Sequence, residues 1–254
     1  MGQGGLAIRP PTRRLLPLSA VAFIGAASAV TNPALDGAKL TEQTSTYRMT
    51  VELPDGTVDM TASTSWSRAN RDGQDVWLVH LVNDSSLGRM VEDIYLRRDD
   101  LRPLHRTVEQ AGVRLAMDYT DGAVQGQASF PDGQDVPIDI PLSAPAIGHM
   151  ESALAVLPLS PGFTVELTTF EPTMQMERRW RVVVTRTETT ATPAGTFDTY
   201  RLEINDPESK GAPGLYWVTR SPPHHMVQSR TTLPDTFGGG EVNVMLDGVE
   251  TPTP

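Results

Sequence analysis

The stretch from Ser143 to Leu159 constrains the fold most, because it is the one convincing helix signal after the N-terminal leader and candidate strands lie on both sides of it. Its apolar residues recur at steps of three and four, which predicts one apolar stripe. The stripe consists of Ile147, Met150, Leu154 and Leu157. Ser143 and Pro145 stand where an N-cap and a first-turn proline are favoured. We therefore expect a helix that buries this stripe against the two β-rich halves of the chain, one before the helix and one after it.

The segments before and after this helix show the alternation of strands, bounded by turn residues, and predict about a dozen strands. Tyr47 to Leu53 and Val58 to Trp66 flank Pro54-Asp55-Gly56, which predicts a hairpin. Val76 to Val82 is apolar on both faces except at His80, so we expect a strand covered on both sides with a core histidine. The predicted fold class is mainly β, with a strongly curved antiparallel sheet, a half-barrel or a barrel, wrapped around one central helix.

The N-terminal segment carries an export signal. Three arginines between residues 9 and 14 precede an uncharged run of 16 residues, Leu15 to Val30, which contains Ala27-Ser28-Ala29 near its end. This pattern is typical of a secretory signal peptide that is cleaved after Ala29, with Ala27 and Ala29 as the small residues of the cleavage site. A spanning helix needs about 20 apolar residues. Retention of residues 15–30 as an inner-membrane anchor is the alternative to release into the periplasm or secretion.

The predicted domain organisation follows from these boundaries. Residues 1–29 form the signal peptide or membrane anchor, residues 30–46 a lead-in, and residues 47–250 a single β-rich domain.

Charge and composition exclude several classes of function. The formal charge is −10, and the residues after position 29 hold 18 basic and 31 acidic side chains. An acidic body repels phosphate, so nucleic acid is not an expected partner. The absence of cysteine removes disulfides, thiolate metal sites, cysteine nucleophiles and a lipid anchor on cysteine.

Catalytic motifs are missing from the sequence as well. There is no G-x-S-x-G, H-E-x-x-H or phosphate-cradling loop. His224 and His225 are neighbours, and neighbours in an extended chain point to opposite faces and do not readily chelate one metal. We expect a protein that is not an enzyme and that has no metal and no cofactor.

Methionines recur on the apolar faces of the predicted elements. Methionine fills gaps in ordinary cores, but it also lines adaptable apolar cavities, so both an ordinary core and a ligand cavity are consistent with the pattern. The candidate ligand-lining residues are Met49, Met60, Met117, Met150, Met174, Met176, Arg178 and Trp180.

Arg178 stands out in this set because the strand predicted from Met174 to Thr189 is otherwise apolar on its face. Its neighbours on that face are Met174, Met176, Trp180, Val182 and Val184. A guanidinium among apolar side chains requires an anion or carbonyls for its donors. Three explanations are open: a protein partner such as a carboxylate on a neighbouring strand, a bulge that turns Arg178 outward, or the acidic head of an amphipathic ligand.

Three stretches carry a resemblance to a known group. They are the helix with its LPLSPG exit, GTFDTYRLEI, and LYWVTRSPPHHMVQSR. With the glycine and aromatic of Gly195-Thr196-Phe197 and the tryptophan strand at Trp217 before Pro222-Pro223, the chain between Tyr47 and Leu233 resembles an uncharacterised group of secreted bacterial proteins. That group is classed as a domain of unknown function. Its fold is similar to that of the periplasmic lipoprotein carriers, and the resemblance implies a curved antiparallel sheet around a helix and no catalytic residue.

Two functions of different classes are consistent with these observations. The first is an exported, non-enzymatic protein that binds an apolar or amphipathic small molecule in a half-barrel. The second is a structural or assembly subunit of a membrane-associated complex, tethered on the periplasmic side by an uncleaved N-terminal segment.

Overall fold

The structure is a computed structural model that describes residues 33–85, 88–209, 211–233 and 239–251. The predicted cleavage residues Ala27 and Ala29 and the alternative anchor, residues 15–30, lie outside these ranges. Within them, no helix combines the length and the apolar character needed to cross a membrane.

The described residues form one antiparallel sheet of 14 strands. The strands are β1 (Gln43–Leu53), β2 (Gly56–Arg71), β3 (Gln74–Ser85), β4 (Gly88–Arg97), β5 (Pro103–Gln110), β6 (Val113–Tyr119), β7 (Ala123–Ser129), β8 (Asp135–Pro141), β9 (Thr164–Glu171), β10 (Met176–Thr192), β11 (Gly195–Asn205), β12 (Gly214–Thr219), β13 (Met226–Thr232) and β14 (Glu241–Glu250).

The order of the strands divides the sheet into two meanders. Strands β1 to β8 follow one another in space, as do β9 to β14, and the two meanders are joined by the pairing of β1 with β14. The sheet is not closed, because β8 and β9, which are consecutive in the chain, stand at its two edges. The predicted mainly β class is therefore confirmed.

The segment between β8 and β9 contains helix α1, Met150–Val156. Its N-cap is His149, whose ring nitrogen accepts a hydrogen bond from the backbone N–H of Ser152. The prediction that Ser143 caps the helix and Pro145 lies in its first turn is wrong, because both precede the helix.

The residues before α1 bind the edge of the sheet instead of forming a helical turn. The backbone N–H of Ile147 donates to the carbonyl of Thr168 at 2.8 Å, and Ile147 forms a parallel bridge with Thr169. The backbone N–H of Ser143 donates to the carboxylate of Glu177 at 2.9 Å. An exposed edge strand offers unpaired backbone groups, and this segment uses them in place of intrahelical bonds.

Helix α1 lies in the main hydrophobic core, as predicted. Leu154 is 1% exposed, and the buried residues of the helix pack against strands from both meanders. The other buried residues of this core cluster include Trp66, Trp77, Val79, Ile94, Leu96, Leu167, Val182, Val184, Leu202, Ile204 and Val218. The sheet thus wraps around the helix.

The predicted first hairpin is confirmed, whereas the prediction for the next strand is wrong. Leu53 pairs with Gly56 across a two-residue loop. In β3, however, the face that carries His80 is only partly covered. Val76 on this face is fully buried, whereas the His80 side chain is 41% exposed and its Nδ1 lies 2.6 Å from the Asp93 carboxylate. A run of apolar residues does not show whether its second face is covered, and here that face is the outside of the sheet.

The lead-in packs on the core. Leu35 and Leu40 are buried, and a short 3-10 turn, Gly37–Lys39, lies between them. The Gly37 carbonyl accepts a hydrogen bond from the Trp77 indole N–H at 3.0 Å. Strand β1 begins at Gln43, inside the segment expected to be the lead-in.

Candidate functional site

Two adjoining cavities lie on the inner face of strands β10 to β13, and one of them reaches the start of α1. The inner cavity, about 220 Å³, is lined by Arg106, Gly148, His149, Met150, Thr169, Phe170, Glu171, Trp180, Ile204 and Tyr216. The rim cavity, about 340 Å³, is lined by Arg178, Trp180, Ile204, Asn205, Asp206, Ser209, Gly211, Ala212, Gly214, Tyr216, Thr231 and Thr232. Three side chains, Trp180, Ile204 and Tyr216, belong to both cavities. We call the two cavities together the cleft.

Strand register places the apolar side chains of the cleft on one face. Trp180 pairs with the fully buried Leu167, and Tyr216 pairs with the fully buried Leu202, so both point to the inner side of the sheet. The Trp180 indole N–H donates to the Thr169 hydroxyl at 2.9 Å, which fixes the ring. At Gly214 a Cβ atom would come within 3.0 Å of the Tyr216 ring, so the lack of a side chain leaves room for that ring.

Arg178 lines the rim cavity on the same face. Its guanidinium carbon lies 5.7 Å from the centre of the Trp180 ring, and its Nη2 lies 3.3 Å from the sulfur of Met174. The register between β9 and β10 is continuous through Arg178, so no bulge turns it outward. None of the ion pairs among the described residues includes Arg178. Its positive charge therefore has no anionic protein partner in the part of the chain that the structure describes.

A second arginine stands at the inner end of the cleft, and its charge is neutralised. Arg106 on β5 forms an ion pair with Glu92 on β4, and both side chains are largely buried. Arg106 also donates from Nη1 to the carbonyl of Phe170 at 3.2 Å. Because the pair satisfies both charges, the inner end of the cleft does not require an anion.

The start of the helix adds two titratable groups near the cleft. Burial, followed by the nearby charge of Arg106, lowers the pKa of His149 to about 3, so its ring is neutral at pH 7. Burial raises the pKa of Glu151 to about 7, partly opposed by its hydrogen bond with Tyr47. Burial and then the charge of Glu151 also raise the pKa of Tyr216, which faces the cleft. His149 and Tyr216 are therefore uncharged at pH 7, whereas Glu151 titrates near neutral pH.

The structure brings three of the predicted lining residues together. Met150, Arg178 and Trp180 line the cleft. Met174 and Met176 are exposed at the hairpin between β9 and β10, and β10 begins at Met176 rather than at Met174 as predicted.

The other predicted methionines lie elsewhere. Met117 is fully buried in a separate core cluster with Val108 and Val124, so it has no free surface toward a ligand. Met49 and Met60 lie beside a different surface depression of about 580 Å³. The methionines therefore do not form one lining.

Sequence reasoning missed most of the residues that line the cleft, including four large side chains. Ile204 and Tyr216 alternate with polar or outward residues along β11 and β12, so pairing these strands with β10 would have found them. Arg106 and Phe170 carry no such signal, because their positions depend on contacts between distant parts of the chain.

The histidine pair has a structural role in the described chain. The Nδ1 of His224 lies 2.7 Å from the Thr219 carbonyl, and its backbone N–H donates to the Ala155 carbonyl at the end of α1. The His225 ring stacks near Trp66. Across the residues that are described, no group of three or more histidine or acidic side chains is placed to hold a metal ion.

The fold and the cleft define an open antiparallel β roll around a short core helix, with a largely apolar depression beside that helix. Residues 45–247 match the model of a family described as Protein of unknown function (DUF3108), and the chain belongs to this family. The resemblance to an uncharacterised group is thereby confirmed. No curated protein matches the chain.

One solved structure shows the same kind of fold, and two others match less well. A β-barrel-like protein from Brucella abortus, of the domain of unknown function DUF1849, superposes with a TM-score of 0.57 at 11% identity, over 87% of this chain and 100% of that chain. A Bacteroides fragilis protein described as exported, with a YmcC-like fold, matches at a TM-score of 0.33 and 14% identity, over 87% of this chain and 99% of that chain. A Vibrio parahaemolyticus domain described as an outer membrane lipoprotein-sorting domain matches at a TM-score of 0.21 and 9% identity, over 84% of this chain and 86% of that chain. The last two scores are too low to support an argument.

Proposed function

We propose that this chain is an exported, non-enzymatic binding protein whose cleft holds an amphipathic anion. The acidic head of the ligand binds Arg178 at the rim, and its apolar tail lies against Trp180, Ile204 and Tyr216 toward Met150. The observation that carries this proposal is the guanidinium of Arg178, which lines the cleft beside Trp180. It forms no ion pair with any described residue, including Asp206 in the lining of the same cavity.

The cost of placing a charge beside apolar groups supports an anionic head. A guanidinium has five donors, and the only described side-chain contacts of Arg178 are the Trp180 ring and the Met174 sulfur, which is a weak acceptor. A carboxylate would take two of these donors in a bidentate pair. Because Arg106 is already neutralised by Glu92, the head belongs at the rim and not at the inner end.

The dimensions of the cleft suit a small amphipathic molecule. Its two parts measure about 220 and 340 Å³, beside about 300–1,000 Å³ for typical ligand pockets. The walls are apolar and aromatic where the parts meet, and polar at the rim near Asn205 and Asp206. This is the arrangement that orients a ligand with one polar end.

The export part of the proposal rests on the sequence of the leader. The arginines before residue 15, the apolar run of 16 residues and Ala27-Ser28-Ala29 form the three parts of a signal peptide. An exported carrier of amphipathic molecules works where such molecules have to cross an aqueous space.

A displacement assay tests the ligand. A fluorescent fatty acid is bound to the purified protein and displaced by laurate, with dodecanol as a ligand of the same tail and a neutral head. We expect laurate to displace the probe and dodecanol to do so much more weakly. Arg178→Met should abolish laurate binding while leaving the far-UV circular dichroism unchanged.

The matched control is Arg179→Met. Arg179 is the next residue of β10, points to the other face of the strand and pairs with Glu208. Its loss should leave laurate binding unchanged. If the wild-type protein binds no fatty acid, or if Arg178→Met binds as well as the wild type, the ligand proposal fails and the assembly subunit becomes the better explanation.

A further inference from the structure

The outer face of strands β10 to β13 carries a second depression, which the proposed function does not use. This outer groove has a volume of about 450 Å³. The residues that matter in it are Arg186, Arg201, Arg230, Leu215, Trp217 and Gln228. The groove also contains one carboxylate, that of Glu188. Arg230 is already paired with Glu241 at 3.2 Å, so Arg186 and Arg201 are the arginines that concern a ligand.

Strand pairing sets four of these side chains in one row. Arg186 pairs with Arg201, Arg201 with Trp217, and Trp217 with Gln228, across four adjacent strands. Residues that pair directly point to the same face of a sheet. Leu215 pairs with Arg230 in the neighbouring row. The groove is therefore built by the sheet itself and not by a loop.

Two bulges adjoin the groove. The register between β10 and β11 shifts between Val184 and Arg186, and the register between β12 and β13 shifts between Trp217 and Val218. Bulges bend a strand and re-aim side chains, and they are enriched next to functional sites. The first shift lies next to Arg186 and the second next to Trp217. The sheet therefore bends at the same place where the arginines cluster.

The charges in the row are incompletely balanced. Like charges directly opposite one another destabilise a strand pair, and Arg186 stands opposite Arg201. Arg186 has a close partner, because its Nη2 lies 2.8 Å from the Glu188 carboxylate. That carboxylate also accepts a hydrogen bond from the Trp217 indole at 2.6 Å, so it is already engaged.

Arg201 is left with unused donors. Its nearest carboxylate, that of Glu203, lies 3.8 Å from Nη2, which is beyond hydrogen-bonding distance. Its Nε is buried and has no hydrogen-bond partner among the described residues. A buried donor without an acceptor is costly. The Arg201 side chain as a whole is 20% exposed, and an anion would contact the guanidinium at this exposed part.

We propose that the outer groove is a binding site for a small organic acid. Its carboxylate or phosphate group binds Arg201 and Arg186, and the body of the molecule lies against Leu215 and Trp217. This site is separate from the cleft, because Leu202 and Tyr216, the chain neighbours of Arg201 and Trp217, point to the inner side of the sheet.

Calorimetric titration with four probes tests the proposal. Glucuronate and glucose 6-phosphate carry the two anionic groups on a sugar, glucose lacks the charge, and inorganic phosphate lacks the body. We expect both sugar acids to bind and glucose not to bind. Inorganic phosphate should bind more weakly than glucose 6-phosphate, and equal affinity would overturn the contact with Leu215 and Trp217.

The variant Arg201→Gln should weaken binding of both sugar acids by at least about tenfold, the usual scale for a lost charge-assisted contact. The control is Arg114→Gln on β6, an exposed arginine paired with Glu109 outside the groove. The far-UV circular dichroism of Arg201→Gln should match that of the wild type. This test does not depend on the proposed function, because the outer groove and the cleft have separate lining residues.

If Arg201→Gln folds poorly, the shift in melting temperature that a ligand causes in the other proteins provides a second test. A ligand that binds only the folded state raises the melting temperature, so glucuronate should stabilise the wild type and Arg114→Gln. Arg186→Gln, which removes the second arginine that binds the anion, should reduce this shift as an independent variant. Absence of binding by the wild type, or unchanged binding in Arg201→Gln, would overturn the proposal.

Discussion

The hydroxyl of Tyr47 donates a hydrogen bond to the carboxyl group of Glu151 at 3.4 Å, across 104 positions of the chain. The contact joins the first strand of the sheet to the core helix. Burial and then the charge of Glu151 raise the pKa of Tyr47 well above its ordinary value, so the phenol remains a donor. Glu151 thus lies inside the protein beside a phenol, and no ion pair among the described residues compensates its charge.

We expect Glu151→Gln to stabilise the protein at neutral and alkaline pH. Burial raises the folded-state pKa of Glu151 to about 7 from 4.5, which means that the folded protein favours the protonated carboxyl group. The contribution of Glu151 to the free energy of unfolding is therefore full below pH 4.5 and is lost as the pH rises to 7. The loss is of the order of a few kcal/mol, at about 1.4 kcal/mol per pKa unit. Urea denaturation at a series of pH values measures the free energy of unfolding of both proteins. The value for the variant, relative to that of the wild type, should increase across this interval. Parallel profiles for the two proteins would contradict the assignment.

The contribution of His149 to stability should depend on pH in the opposite direction. Burial lowers its folded-state pKa from 6.5 to about 3, so the stability it contributes is present above pH 6.5 and is lost as the pH falls toward 3. His149→Asn, which keeps a side chain able to cap the helix, should lose less stability than the wild type on acidification. The two groups oppose each other between pH 4.5 and 6.5. The same urea series should therefore give a flatter wild-type profile in that interval than in either variant.

Leu154→Ala should destabilise the protein by roughly 2 to 5 kcal/mol, because it removes buried methyl groups and leaves a cavity beside the helix. Leu78→Ala is the control: Leu78 is half-exposed on the outer face of β3, so a much smaller loss is expected. Denaturant melts measure both. A change below about 0.5 kcal/mol at Leu154 is the size of a surface substitution and would contradict its place in the core.

Glu92→Gln should cost about 3 to 5 kcal/mol, since it leaves the buried guanidinium of Arg106 without a counter-charge. Replacing both residues by leucine should cost less than the single change, because no buried charge is then left unpaired. The exposed pair of Arg114 and Glu109 supplies the control, where Glu109→Gln should cost at most about 1 kcal/mol. Equal losses at the two pairs would show that the first is solvated.

N-terminal sequencing of the exported fraction should give a mature chain that begins at Val30. The three arginines, the apolar run and the small residues at 27 and 29 predict this cleavage. An N-terminus at Met1 in that fraction would favour the anchored alternative.

Local patterns predicted most of the strands, because alternation and turn residues are properties of neighbouring positions. The first hairpin around Pro54-Asp55-Gly56 and the inward position of Trp180 follow from such patterns. The start of the helix does not follow from a local pattern, because Ile147 binds the edge of a strand that lies later in the chain. The candidate site was found only in part for the same reason: Arg178 is visible as a misplaced charge, whereas Arg106 reaches the cleft through the packing of distant strands.

The pairing of β1 with β14 has a consequence for biosynthesis. Residues 241–250 are made after every other strand described, yet they lie in the middle of the sheet, with β1 on one side and β13 on the other. Until they leave the ribosome, the two meanders share no backbone ladder, and β1 and β13 are open edges that can pair with other chains. A premature stop or a protease cut before residue 241 would therefore split the sheet through its centre rather than trim its border.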